Sequence, residues 1–110
     1  MDIAKQKRCV IGIRGQISDP DYPVDIWFDS LKSVANVLSK ENQYLLKVIA
    51  EQQPQSVTEL ANLTGRAVSN VSRTLKTLDC LGIVCLVRIS GQVKPSTKFR
   101  SFIVVGDYYE

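Results

Sequence analysis

The sequence has 110 residues, 45% of them hydrophobic and 23% charged, with a formal net charge of +3. This length suits one domain with a buried core, and no apolar run approaches the roughly 18 residues that a membrane-spanning helix needs. Histidine is absent, which removes the commonest general base and the commonest metal ligand. We therefore expect no enzyme, no metal site, no cofactor and no membrane segment.

The three cysteines, Cys9, Cys80 and Cys85, form no CxxC pair, so neither a disulfide framework nor a zinc site is expected. Cys80 and Cys85 are better explained as small buried hydrophobes than as redox sensors. The N-terminal apolar segment is interrupted by Gly12 and Arg14, and we expect no signal peptide. A reducing cytoplasm is the location that fits this composition.

Positive charge is concentrated in the second half of the chain. Residues 57–105 contain seven basic and two acidic side chains, a net charge of +5, whereas residues 1–56 contain seven of each. Such an asymmetry is typical of a protein that presents one part of its surface to a polyanion.

The first 29 residues are predicted to form a strand arm that could mediate dimer formation. Residues Arg8–Arg14 and Val24–Asp29 have strand composition, and QISDPDYP between them is predicted to be a loop. Two interpretations are open for Trp27 and Phe28: they are core residues beside the first helix, or they are anchors of an interface.

Two amphipathic helices are predicted next, at the start of a second domain that spans residues 30–110. Ser30 can cap the first, whose apolar face is Leu31, Val34, Ala35 and Leu38. The second covers Lys40–Gln53 with an apolar stripe of Tyr44, Leu45, Val48 and Ile49, and Pro54 ends it.

The segment from Ser56 to Gly82 predicts two helices joined by a tight turn. Ser56 and Glu59 have capping-box spacing, with Thr58 as a competing cap, so a short helix is predicted to begin near Thr58. It presents Leu60, Ala61 and Leu63, and Gly65 ends it. The next helix covers about 67–81 with a stripe at Val68, Val71, Leu75, Leu78 and Leu81, and Gly82 stops it.

A β-hairpin is predicted after this helix, with strands Ile83–Ser90 and Lys98–Val105 joined by the loop GQVKPST. The predicted fold class is therefore α+β, mainly α: a winged helix-turn-helix with a C-terminal hairpin wing and an N-terminal strand arm. A plain helical hairpin used for packing is the alternative for the helix pair.

The helix at 67–81 has a polar face without acids, rich in the donors that read base edges and hold phosphates. In the hairpin, lysine and arginine side chains surround the predicted loop, where they could contact phosphates or a minor groove. Lysines that protect an edge hairpin from aggregation are the alternative there. The predicted DNA-binding residues are Arg66, Ser69, Asn70, Arg73, Lys76, Thr77, Lys94, Lys98 and Arg100.

The stretch SVTELANLTGRAVSNVSRTLKTLDCLGIV resembles the winged helix-turn-helix regulators of the MarR and ArsR kind, over roughly residues 40–105. The resemblance implies a recognition helix at Ala67–Leu81, a wing at Ile83–Val105 and dimers that bind paired half-sites. It places Ser69, Asn70 and Arg73 at DNA-facing positions. Some small prokaryotic MarR-like proteins look like antitoxins or autoregulators. We expect neither the long C-terminal dimerisation helix nor the metal-ligand set of ArsR sensors in this protein.

The sequence thus favours a homodimeric, cytoplasmic transcriptional regulator that binds specific double-stranded DNA, with helix 67–81 in the major groove and the segment 83–105 on the backbone or minor groove. The alternative hypothesis is a protein-interaction module, such as an antitoxin-like winged helix that binds a cognate toxin or another protein. The acid-free helix face distinguishes the two, because an interaction module would gain little from it.

Overall fold

A computed structural model of the chain describes residues 8–15 and 23–106. The described residues group into two compact units, one formed by residues up to 37 together with those from 99 onward, and one formed by Leu38–Lys98. The predicted loop at 16–22 lies outside the described residues. The role of residues 1–29 as a dimer-forming arm, separate from a domain at 30–110, stays a prediction.

The first unit contains a three-stranded parallel sheet. Its strands are β1 (Arg8–Ile13), β2 (Ile26–Phe28) and β5 (Ser101–Val105), with β1 in the centre. Alternation along β1 places Cys9, Ile11 and Ile13 on one face, and all three are buried. The helix α1 (Leu31–Val37) follows β2 and contacts it.

Two contacts fix the register of this sheet. The amide of Val10 donates to Oδ2 of Asp25 at 2.8 Å, and the amide of Asp25 donates to the carbonyl of Val10 at 2.8 Å. Two residues further along β1, Gly12 leaves room for the indole ring of Trp27. A Cβ at this position would lie 2.8 Å from Cζ3 of that ring. Phe28 is buried as a core residue, whereas Trp27 is 40% exposed.

The second unit begins with two capped helices. The helix α2 (Lys40–Gln52) starts after Ser39, whose hydroxyl accepts from the amide of Asn42, and ends at Gln53, which has a left-handed backbone and precedes Pro54. The helix α3 (Val57–Thr64) starts after Ser56, one of the two predicted caps, and ends at Gly65, as predicted. The capping box is shifted by one residue, because the Glu59 carboxylate accepts from the amide of Gln55.

The helix α4 (Val68–Cys80) follows α3 after a short turn. Its end is a Schellman motif: the amide of Ile83 donates to the carbonyl of Leu78 at 2.9 Å and that of Gly82 to the carbonyl of Asp79 at 3.0 Å. Gly82 has a φ of +83°, the left-handed region that favours glycine. The predicted helix, turn, helix and glycine stop are confirmed.

The predicted hairpin is wrong in its pairing. The strand β3 (Val84–Ile89) pairs in antiparallel register with β4 (Gln92–Thr97), so most of the predicted loop GQVKPST is the returning strand. Ser90 and Gly91 form a two-residue turn in which both φ angles are positive, as a type I′ turn requires. The segment predicted as the second hairpin strand contains β5, which pairs with β1.

In the second unit, β4 contacts α2 and α3, and β3 contacts α4. Several apolar positions depart from prediction. Leu31 and Ala35 in the first unit and Tyr44, Leu63, Val68 and Cys80 in the second are exposed, whereas Leu46 is buried. Cys80 lies two residues beyond Leu78 and therefore points about 200° away from it around the helix. Cys85 is half-buried. Within the described residues, no helix combines the length and the apolar character that crossing a membrane requires. The core of this unit consists of Leu45, Leu46, Val48, Ile49, Pro54, Leu60, Ala61, Val71, Leu75, Leu78, Ile83, Val84 and Pro95.

Candidate nucleic-acid interface

The helix α4 has one buried stripe and one exposed stripe. Val71, Leu75 and Leu78 are at most 1% exposed and attach the helix to the core of its unit. Because each residue advances about 100° around the axis, the opposite side carries Ser69, Arg73, Lys76 and Cys80, all of which are exposed. We call Ser69, Arg73 and Lys76 the outer stripe.

The side chains of the outer stripe are not engaged by neighbouring residues. Among the described residues, the side chains of Ser69, Arg73 and Lys76 have no hydrogen-bond or ion-pair partner. Asp79, the one acid of α4, lies about 120° around the helix from Arg73. The unit that carries this helix, Leu38–Lys98, has eight basic and four acidic residues, a net charge of +4. Cations that are not neutralised by neighbours remain available to a polyanion.

Arg66 has a different environment from the one predicted. Its Nε donates to Oδ1 of Asn70 at 2.9 Å, and Nη2 donates to the same oxygen and to Oγ1 of Thr74 at 3.1 Å. Its Nη1 donates to Oδ1 of Asn42 on α2 at 3.2 Å. The guanidinium therefore holds the N-terminal half of α4 to α2, with most of its donors already engaged. We call Asn42, Arg66, Asn70 and Thr74 the arginine cluster.

Asn70 and Thr77 are exposed, as predicted, but each is partly engaged. Both bonds to Asn70 use its amide oxygen, and within the described residues its amide nitrogen has no partner. The hydroxyl of Thr77 donates to the carbonyl of Arg73 at 3.4 Å. Asn70 therefore offers donors, and Thr77 offers hydroxyl lone pairs, on the side of α4 next to the outer stripe.

Sequence reasoning missed Asn42 and Thr74 as members of this site. Thr74 follows Arg66 by eight residues and Asn70 by four, the spacing that places polar side chains on one face of a helix. That spacing was visible in the sequence. Asn42 lies 24 residues before Arg66 and gave no comparable pattern.

Of the three cations predicted to surround the hairpin loop, the structure places two at the hairpin and the third in the other unit. Lys94 is half-buried on β4, opposite Val87. Lys98 is exposed just after β4, and its amide donates to the carbonyl of Ile83 at 3.2 Å. Arg100 belongs to the unit that contains the parallel sheet, so it is not part of the hairpin.

A family model described as HVO_A0114 matches residues 37–104, more than half of the sequence. The chain belongs to this family. Its fold is similar to a crystal structure of "the predicted DNA-binding transcriptional regulator from E. coli", with a TM-score of 0.53 and 20% sequence identity. The similarity covers 61% of this chain and 72% of that one. None of the curated proteins matches the sequence.

Proposed function

We propose that this protein binds specific double-stranded DNA as a transcriptional regulator of the winged helix-turn-helix, MarR-like type, with α4 as the recognition helix. The observation that carries the proposal is the outer stripe, because a hydroxyl, a guanidinium and an ammonium lie on one exposed helix face and have no partner among residues 8–15 and 23–106. A similar fold in an E. coli protein described as a "predicted DNA-binding transcriptional regulator" supports the same interpretation.

The geometry of α4 suits a major groove. The groove, roughly 12 Å wide, admits one α-helix. The N-terminal half of a recognition helix contacts base edges in the helix-turn-helix arrangement. Ser69 and Arg73 are in this half or at its end, and Arg73 can donate in bidentate fashion to guanine O6 and N7. Lys76 lies one turn further along and is assigned to a phosphate.

The hairpin β3–β4 is the proposed wing. It is shorter than the sequence indicated, and the predicted DNA-binding cations that belong to it are Lys94 on β4 and Lys98 just after β4. Both are assigned to the DNA backbone, where lysine acts as a point charge that does not read sequence. The protein is proposed to act in the cytoplasm as a homodimer on paired half-sites, with repression of its own promoter as the mode of regulation to test first.

The test is a salt-titrated binding assay on the DNA upstream of the protein's own gene. We expect log K to fall linearly with log salt and Arg73→Ala to weaken binding by about 1–3 kcal/mol. Lys47→Ala, which removes one positive charge from an exposed position on α2, is the matched control and should bind nearly as the wild type does. If Arg73→Ala retains wild-type affinity, α4 is not the recognition helix.

A protein-interaction module is the second candidate function, and one observation favours it. Val87 and Ile89 are 44% and 50% exposed and share one face of the hairpin. Exposed apolar side chains that lie together are common at protein contacts, and the proposed partner in this second function is a cognate toxin or another protein. A tight heterocomplex in native mass spectrometry, with no DNA shift at low salt, would favour this function over DNA binding.

A further inference from the structure

The geometry points to Asn70 as a specificity-determining residue that can only donate hydrogen bonds to a base, because Arg66 occupies its amide oxygen. This inference rests on the proposed function and goes beyond it by naming the base chemistry that one position of α4 selects. Arg66 is a positioning residue in this inference, since its guanidinium acts through its bonds to Asn70.

The orientation of the Asn70 amide follows from the chemistry of its partner. A guanidinium carries only donors, so the Asn70 atom that faces Nε and Nη2 of Arg66 must be the oxygen. That oxygen has two lone pairs, and both are used. Rotation of the amide by 180° would place its NH₂ group against the guanidinium, so the Arg66 contact excludes the flipped state.

A free asparagine reads adenine by accepting from N6 and donating to N7 at the same time. Asn70 cannot make that pair of bonds while its oxygen accepts from Arg66, and two N–H donors remain. In the major groove, guanine presents the acceptors O6 and N7, and thymine presents O4. Cytosine presents the N4 donor, and adenine places its N6 donor beside its single acceptor N7, where that donor would face the donors of Asn70. Asn70 therefore selects a keto base, guanine or thymine, on the strand that it contacts.

The surrounding cluster makes this orientation rigid. Arg66 is half-buried, and it is also held by Thr74 on α4 and by Asn42 on α2, so three partners fix the plane of its guanidinium. The amide of Asn70 is consequently oriented before any DNA arrives, and binding needs no reorientation of this side chain.

The experiment is selection of bound duplexes from a random double-stranded DNA library by the full-length chain and its variants. Asn70→Asp keeps the contact with Arg66 and replaces the donors with an acceptor, at almost the same volume. We expect one base-pair position to reverse, with the keto base moving to the opposite strand, and a preference of roughly five-fold or more for each variant's own pair. Thr77→Asp adds the same charge to the helix without touching Arg66, and it should weaken binding with no reversal.

A second variant tests the role of Arg66. Arg66→Lys keeps the charge but cannot donate two planar N–H groups to one oxygen, so Asn70 is released and adenine should become acceptable at the same position. Circular dichroism shows whether each variant is folded. If the wild type selects no sequence, the proposed function fails. If it selects a site, but Asn70→Asp reverses no position and Arg66→Lys changes no preference, the inference is overturned while the proposed function stands.

Discussion

Replacement of Arg66 by alanine measures how strongly α4 is held to α2. The guanidinium makes four hydrogen bonds to three side chains on the two helices. Bonds to a charged group contribute about 1.5–3 kcal/mol when well shielded, but exposed charged pairs typically contribute under about 1 kcal/mol. Since Arg66 is half-buried and Asn70 is exposed, we expect Arg66→Ala to lower the free energy of unfolding by about 2 kcal/mol.

Urea denaturation followed by circular dichroism is the assay, and Arg88→Ala is the matched control. Arg88 is exposed on β3, and its side chain has no partner among the described residues, so its loss should change stability by less than about 0.5 kcal/mol. A double-mutant cycle of Arg66→Ala with Thr74→Val should show coupling of at least about 0.5 kcal/mol. Thr77→Val, on the same helix, should show none. Equal stability of the Arg66 and Arg88 variants would refute the argument.

Three further predictions concern packing and backbone conformation. Leu75→Ala should cost about 2–5 kcal/mol of unfolding free energy in urea denaturation, because Leu75 is 1% exposed and truncation opens a cavity; a cost below about 1 kcal/mol would contradict that packing. Gly82→Ala should lower the free energy of unfolding by about 1–2 kcal/mol in thermal denaturation, because φ is +83°. Nothing lies within 4 Å of an added Cβ, so the effect is purely conformational. An unchanged Tm would show that the Schellman motif does not contribute to stability. Gly12→Ala should lower the free energy of unfolding by about 1–3 kcal/mol through the clash with Trp27. The fluorescence emission of Trp27, the single tryptophan of the sequence, should shift to the red. Unchanged emission would mean that the ring does not lie over Gly12.

The helical half of the fold could be predicted because its signals are local. Ser56 and Gly65 mark the ends of α3 through backbone chemistry within three residues of each helix end. Val71, Leu75 and Leu78 repeat at helical spacing, so the buried side of α4 follows from periodicity alone.

The strands could be identified, but their partners could not. β5 has the alternating, β-branched composition of a hairpin strand, yet it pairs with β1, which is more than 80 residues away in sequence. Pro95 made the true returning strand look like a loop, because proline removes a ladder donor and is tolerated only at an edge. In the two-stranded sheet β3–β4 both strands are edges. The Ser90-Gly91 pair could have located the turn, because this dipeptide is typical of turns, but the prediction placed a longer loop there.

The prediction of the candidate site was incomplete because contacts between side chains were not considered. Counting donors on the polar face of α4 treats every side chain as available, whereas side chains four residues apart on a helix can bond each other. Arg66 and Asn70 have this spacing and bond each other before any ligand is present. The residues predicted to contact bases therefore differ in what they can offer. Ser69 and Arg73 are available to bind DNA, whereas Asn70 has only its amide N–H groups available. A helix face that is rich in donors therefore predicts affinity for a polyanion more directly than it predicts which bases are read, because base selection depends on the donors that remain after the intramolecular bonds have formed.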